Sequence, residues 1–105
     1  MTHTDLGQGR WFTLSLAEQL GNVGSEYERA FSWKQRGDSS KHQSAFNRFL
    51  ELLDLTIADP RTTATRKNEL LKVREIACTE MMSHVPEKQL GKYFMQFALL
   101  ARAGK

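Results

Sequence analysis

Apolar residues recur at steps of three and four along most of this chain, the spacing that places side chains on one face of a helix. The pattern is broken at Gly37, at Asp59-Pro60 and at Val85-Pro86. Glycine enters the left-handed region freely and proline disfavours the helical region at the residue before it, so both residues end helices. No segment of the sequence alternates as a strand does. These features predict an all-α protein, an antiparallel up-down four-helix bundle.

Polar residues next to each break predict where the helices begin, because their side-chain oxygens accept hydrogen bonds from the free N–H groups of the first turn. Ser15 and Glu18 have the spacing of a capping box, which favours a first helix that begins near Ser15 rather than at Trp11. We expect Pro86 in the first turn of the fourth helix. The candidate caps of the second and third helices are Asp38, Ser39 or Ser40, and Thr62 or Thr63.

Length and composition limit the class of protein. A chain of 105 residues corresponds to one domain. Residues 1–10 are polar and lack the apolar stretch of a secretory signal, so we expect a flexible N-terminal tail over 1–10 and a single helical-bundle domain over 11–105. The one cysteine, Cys78, fits a reducing cytoplasm. No apolar run approaches the roughly 18 residues of a membrane span, so we expect a cytoplasmic protein without membrane association.

The spacing of reactive residues gives no enzyme signature. No glutamate is followed by a histidine three residues later, as a di-iron bundle requires, and there is no phosphate-binding loop or nucleophile motif. The three histidines, His3, His42 and His84, lie in the tail and at helix corners. We therefore expect no metal and no cofactor. The balance of these features is against catalysis without excluding it.

One candidate catalytic pair lies in the stretch "WKQRGDSSKH". The separation of Arg36 and His42 resembles that of the arginine and histidine of HEPN-type helical-bundle ribonucleases, which implies catalytic roles for both residues. The chain departs from that pattern, because Gly37 follows the arginine in place of a polar residue and the pair straddles the first helix corner. The alternative is that both are surface residues at this corner.

A second resemblance covers most of the chain after the tail. The strings "LSLAEQLGNVGSEYERAFSWKQRGD" and "FLELLDLTIADPR" are similar to a group of short uncharacterised prokaryotic helical proteins. This resemblance implies a helical bundle and no particular activity.

A candidate nucleic-acid-binding surface follows from the first predicted helix. Arg29, Trp33 and Arg36 are spaced at i, i+4 and i+7, and Lys41 is close in sequence. An unpaired base can stack on tryptophan while the cations hold phosphates. The alternative is a tryptophan packed at the edge of the bundle beneath arginine side chains. The net charge of +3 permits weak attraction to polyanions.

The predicted third and fourth helices have apolar faces too wide for one neighbour. Met95 and Leu99 lie roughly opposite the Leu90/Phe94 face, and Ile76 widens the third helix. We expect these three residues at an oligomer interface, with a homodimer favoured, unless one of these helices is central to its own bundle.

Two functional hypotheses follow. The first is a non-enzymatic helical interaction and assembly module that self-associates and can dock a partner protein. The alternative is an RNA-associated or HEPN-like protein that uses the basic and aromatic residues of the first corner.

Overall fold

The computed structural model describes residues 10–83 and 88–103. A 3₁₀ turn at Trp11–Thr13 is followed by α1 (Leu16–Gln35), α2 (Ser39–Ala58), α3 (Ala64–Met82) and α4 (Gly91–Ala103). These ranges contain no strand, so the predicted all-α class with four helices is confirmed. None of the described helices is long and apolar enough to cross a bilayer. Residues 1–9 of the predicted tail, and His84, lie outside the described residues.

Contacts along α1 and α2 show that they form an antiparallel pair. Near the start of α1, Gln19 Nε2 donates to Asp59 Oδ2, just after the end of α2. Near the end of α1, the carbonyl oxygen of Ala30 lies 2.9 Å from Nδ1 of His42, in the first turn of α2. Short corners join α1 to α2 and α2 to α3, as expected for antiparallel neighbours. α1 packs most closely against α2 and α4, and α3 lies farther from α1.

The start of α1 is fixed by its own side chains. The backbone N–H of Glu18 donates to Ser15 Oγ, and the backbone N–H of Ser15 donates to Glu18 Oε1, which completes the predicted capping box. The helix therefore begins after Ser15. Trp11 belongs to the separate 3₁₀ turn, and its side chain is buried in the core.

The corners use the residue types that the sequence indicates. Gly37 has a φ of 77°, the left-handed conformation that glycine adopts without steric cost. Asp38 caps α2, because its side chain accepts a hydrogen bond from the backbone N–H of Lys41. The other two candidates, Ser39 and Ser40, are already helical. Thr63, one of two candidates, caps α3. The prediction that Pro86 lies in the first turn of the fourth helix is wrong, because α4 begins five residues later, at Gly91; Pro86 itself lies outside the described residues.

An aromatic cluster occupies the centre of the core. The ring of Tyr27 on α1 lies 5.8 Å from that of Phe49 on α2 and 5.4 Å from that of Phe94 on α4, measured between centroids. Phe49 and Phe94 meet edge to face at 5.9 Å. Such tilted arrangements are favoured by the ring quadrupoles. The cluster therefore joins three helices through one tyrosine.

The buried Glu80 carboxylate and Tyr27 hydroxyl join α3 and α1 to the residues before α4. The hydroxyl of Tyr27 donates to Glu80 Oε1 at 2.8 Å, and the backbone N–H of Gln89 donates to Glu80 Oε2 at 2.6 Å. The backbone N–H of Leu90 donates to the Tyr27 hydroxyl at 3.0 Å. Burial raises the pKa of Tyr27 above its ordinary value. Groups from α1 and α3 thus hold the residues directly before α4.

Candidate functional site

The predicted nucleic-acid-binding residues gather around Trp33, near the corner between α1 and α2. The Arg36 guanidinium carbon lies 5.1 Å from the Trp33 ring centroid, and Lys41 Nζ lies 4.4 Å from it, both within the range of cation–π attraction. Trp33 is half-buried and packs against the core. It therefore has the geometry of a tryptophan packed at the bundle edge beneath cationic side chains, and its neighbours are the cations that a phosphate backbone would need.

Arg29, the remaining member of the predicted stripe, is paired with a buried carboxylate. Its Nη1 donates to Glu26 Oε1 at 2.7 Å, and Arg48 Nη1 on α2 lies 4.0 Å from the same oxygen. Only 8% of the Glu26 side chain is exposed. Its second oxygen, Oε2, is buried and has no hydrogen-bond partner among the described residues. A buried acceptor without a partner costs about 1–3 kcal/mol, so it requires an explanation.

These side chains line a cavity of about 200 Å³, which we call the α1–α2 cavity. α1 and α2 each contribute residues spaced by three or four, which places them on facing ridges. Three cationic side chains in the lining surround the one carboxylate, so the cavity has an excess of positive charge. The lining residues are Glu26, Arg29, Trp33, Lys41, Ser44, Ala45 and Arg48.

The two members of the candidate catalytic pair have different partners. Arg36 lies against the ring of Trp33, whereas His42 Nδ1 is within hydrogen-bond distance of the Ala30 carbonyl oxygen. The His42 ring is parallel to that of Phe46, with centroids 6.2 Å apart. No hydrogen bond joins Arg36 to His42 in the described part of the chain. Their catalytic role stays a hypothesis, since both side chains also have structural partners at this corner.

The predicted interface residues are all exposed but do not form one surface. Met95 is 53% exposed, Leu99 54% and Ile76 38%. Met95 lies on the flank of α4 that faces α1, and Leu99 is one turn after it. Ile76 lies two turns after Glu69, whose carboxylate accepts from the Tyr93 hydroxyl on the opposite flank of α4. Three other apolar residues, which were not among the predicted interface residues, are also exposed: Leu71, Met82 and Leu100.

A shallow groove between α1 and α4 lies beside Met95, and we call it the α1–α4 groove. It has a volume of about 170 Å³, and its lining combines small residues such as Gly21 and Ala98 with Phe94, Met95 and the charged Glu28 and Arg102. A Cβ atom at Gly21 would meet the Ala98 Cα at 3.5 Å, and one at Gly24 would lie only 2.5 Å from the Cβ of Phe94. The glycines therefore permit the close approach of α1 and α4.

A polar cavity of about 270 Å³ lies at the opposite end of the α1–α2 pair. Its centre is Asp59, which accepts from Gln19 Nε2 at 3.0 Å and from the Arg61 backbone N–H at 2.9 Å and Nη2 at 2.6 Å. Hydrogen bonds from Arg61 hold the pKa of Asp59 well below its ordinary range. Gln19 Nε2 also donates to the Trp11 carbonyl oxygen, so this network joins the 3₁₀ turn to two helix ends.

Metal ligands do not cluster in the described part of the chain. No group of three or more His, Cys, Asp or Glu side chains there is placed to hold a metal ion. Cys78 is half-buried on α3.

Comparisons with known proteins identify no relative of this chain. No family model, no curated protein and no solved structure matches the chain. The likeness to short prokaryotic helical proteins therefore stays a prediction.

Proposed function

We propose that this chain is a non-enzymatic helical interaction module that self-associates through α4. One observation carries the proposal: Met95 and Leu99, two large apolar side chains one turn apart, are each more than half exposed, and Met95 lines the α1–α4 groove. Isolated exposed apolar residues are ordinary, but a ridge next to an empty groove is the shape that a second helix surface fits. A reducing cytoplasm is the proposed compartment, because the sequence holds no second cysteine to pair with Cys78.

A second copy of the chain suits this surface because the ridge and the groove lie side by side. A two-fold axis between two copies would direct Met95 and Leu99 of each into the groove of the other, which is an isologous interface. Full burial of a Met or Leu side chain contributes roughly 1.5–3 kcal/mol, and association costs about 4–15 kcal/mol. Because these side chains are already nearly half buried in the single chain, each of the four contributes about half of the figure for full burial, which favours a weak dimer that dissociates on dilution rather than an obligate one.

Sedimentation velocity over a wide range of protein concentrations tests the assembly. We expect a monomer–dimer equilibrium in the unmodified chain and a monomer for Leu99→Asp, because the new carboxylate would be buried in the interface. Leu71→Asp is the matched control, since Leu71 is 49% exposed on α3, away from the groove. A monomer at every concentration, or loss of the dimer in the control alone, would contradict the proposal.

A second candidate function is association with single-stranded RNA. The observation that favours it is the set of cations around Trp33, with Arg36 and Lys41 against its ring and Arg48 adding a charge from α2. Fluorescence anisotropy of labelled RNA at low and near-physiological salt tests it, because real phosphate contacts weaken steeply with salt. Arg36→Glu should weaken binding and Lys72→Glu, on α3, should not.

The same RNA probe tests for cleavage. If the HEPN-like hypothesis is right, the probe is cut by the unmodified chain and stays intact with His42→Ala. An absence of binding at low salt would contradict both the RNA association and the nuclease.

A further inference from the structure

We propose that the α1–α2 cavity binds a guanine base that carries a 5′ phosphate, either as a free nucleotide or within single-stranded RNA. Glu26 accepts hydrogen bonds from the Watson–Crick edge of the base, Trp33 stacks on it, and Lys41 and Arg48 hold the phosphate. The site goes beyond the assembly role proposed for α4. Where RNA is the source of the base, the proposal rests on the candidate RNA association.

The first step of the argument is the state of Glu26. It lies on the core side of α1, with Tyr27 and Ala30 as buried neighbours, and it is 6% exposed. Both nearby arginines approach Oε1, which leaves Oε2 without a partner among the described residues. The arginine side chains are about half exposed, 52% for Arg29 and 47% for Arg48, so they can move aside at the mouth of the cavity. Glu26 thus offers a buried oxygen, Oε2, that can accept a hydrogen bond once the arginine side chains above it move aside.

The second step is the choice of base. Guanine presents two adjacent donors on its Watson–Crick edge, the N1–H and the 2-amino group, and a carboxylate has two adjacent acceptors. Adenine and cytosine each place a ring-nitrogen acceptor beside their amino donor, and uracil flanks its N–H with two carbonyl oxygens. A carboxylate repels these acceptors. Glu26 therefore selects guanine by pairing with it and by repelling the other bases.

The third step is the fit of the remaining groups. The cavity, at about 200 Å³, is smaller than the roughly 300 Å³ at which pockets for drug-sized ligands begin, so it suits one ring system and leaves a phosphate at the rim. Lys41 and Arg48 are exposed at that rim. Lys41 Nζ lies over the Trp33 ring, and transfer of its ammonium to the phosphate would leave that position to the base, while Arg36 stays against the ring.

Other ligand classes suit the lining less well. A peptide bearing arginine or lysine would use Glu26 and the Trp33 face, but three cationic side chains in the lining repel it. Inorganic phosphate would use those cations and would be repelled by Glu26. A guanine nucleotide has both a pair of donors for the carboxylate and a negative charge for the cations.

Nuclear magnetic resonance titration of the ¹⁵N-labelled full chain provides the test. GMP, IMP, AMP and ribose 5-phosphate are added separately at constant ionic strength. We expect GMP to shift the indole N–H resonance of Trp33 and to leave that of the buried Trp11 unchanged. AMP should bind about tenfold more weakly, because a hydrogen bond to a charged group is lost. IMP lacks only the 2-amino group and should fall between the two.

A variant assigns this preference to the carboxylate. Glu26→Gln should bring the affinities for GMP and AMP close together, with folding checked by the Trp11 resonance, and Lys72→Glu should leave them unchanged. If the variant does not fold, the order of the affinities of the unmodified chain for GMP, IMP and AMP still tests the preference for guanine. Shifts from guanine-containing RNA but not from GMP would support the proposal with RNA as the source.

Two outcomes would overturn the proposal. Equal effects of GMP, AMP and ribose 5-phosphate would mean that the cavity responds to charge alone, which leaves RNA association intact. The absence of any shift at Trp33, together with no RNA binding by anisotropy, would remove both the guanine site and the RNA association.

Discussion

Asp59 and Glu26 are both buried carboxylates of the α1–α2 pair, 2% and 6% exposed, and each is paired with an arginine. They differ in how far their oxygens are used. Asp59 accepts hydrogen bonds at both oxygens, from Gln19 and from the backbone and side chain of Arg61. Glu26 uses Oε1 alone. Both oxygens of Asp59 therefore stabilise the fold, whereas Oε2 of Glu26 remains able to accept a further hydrogen bond.

The arginines of the two pairs also differ in position. Arg61 is two residues after Asp59, and its Nη2 also donates to the Leu14 carbonyl oxygen at 2.7 Å, so it joins the α2–α3 corner to the chain before α1. Arg29 is one turn from Glu26 on the same helix and pairs with it locally. Loss of Asp59 should therefore disconnect several segments, whereas loss of the Glu26 charge removes a local pair and one longer ion-pair contact of 4.0 Å to Arg48 on α2.

The largest expected effect is that of Asp59→Asn. The new amide places a donor against donors from Gln19 and Arg61, so we expect a loss of about 2–3 kcal/mol in the free energy of unfolding. Urea denaturation measures it as a lower midpoint with an unchanged slope.

Asp54→Asn is the matched control for this loss. Asp54 pairs with Arg74, but both side chains are substantially exposed, so the cost should stay below about 1 kcal/mol. Equal costs for the two substitutions would contradict the structural role of Asp59.

The next effect is a dependence on acid. Because Arg61 lowers the pKa of Asp59 in the folded chain, the unfolded chain takes up the proton first as the pH falls. The contribution of Asp59 is complete above its unfolded pKa of about 3.9 and is lost progressively as the pH drops toward the folded value. At pH 3 the stability difference between the unmodified chain and Asp59→Asn should shrink by roughly 1 kcal/mol relative to pH 6. A constant difference would contradict the assignment.

The smallest expected effect on stability is that of Glu26→Gln. The amide oxygen can still accept from Arg29, and the amide nitrogen replaces an oxygen that has no partner, so the change should stay within about 1 kcal/mol in either direction. Urea denaturation beside Asp59→Asn provides the comparison. A loss as large as that of Asp59→Asn would show that Glu26 is structural, and the contrast between the two carboxylates would fail.

Local chemical signals made much of the fold predictable. The box of Ser15 and Glu18 and the turn at Gly37 depend on residues close in sequence, and the structure has both. The cap of α2 was narrowed to three candidates, of which Asp38 is the one used. These features need no knowledge of how the helices pack, which is why sequence alone reaches them.

The candidate sites depend on contacts between residues far apart in the chain, which the spacing of residues in the sequence does not predict. Asp59 was predicted only as a helix end, because its partner Gln19 is forty residues earlier. Glu26 was missed, although it falls three residues after Val23 and four before Ala30, on the face that the core covers. A carboxylate at a position on the buried face of a helix was the signal in the sequence that marks Glu26 as a candidate. The contact with Arg48 on α2, which completes the site, depends on how the helices pack.

The predicted interface residues come from two different parts of the surface, for a related reason. Ile76 and Met95 are both exposed, but they lie on different flanks of the α3–α4 pair. Helical periodicity gives the width of an apolar face, and the neighbours decide which part of it remains exposed.

The hydrogen bonds of Glu80 imply an order of assembly. The backbone N–H groups of Gln89 and Leu90, directly before α4, are held by Glu80 and Tyr27, which belong to α3 and α1. Glu80 is only nine residues before Gln89, but Tyr27 is 53 residues before Glu80 and 63 before Leu90, so its bonds form only after distant parts of the chain have met. By contrast, α1 and α2 are joined by a short corner. We expect the α1–α2 hairpin to form first and α4 to dock last. Amide protons of α4 should then exchange with solvent through a partial opening that leaves the hairpin protected.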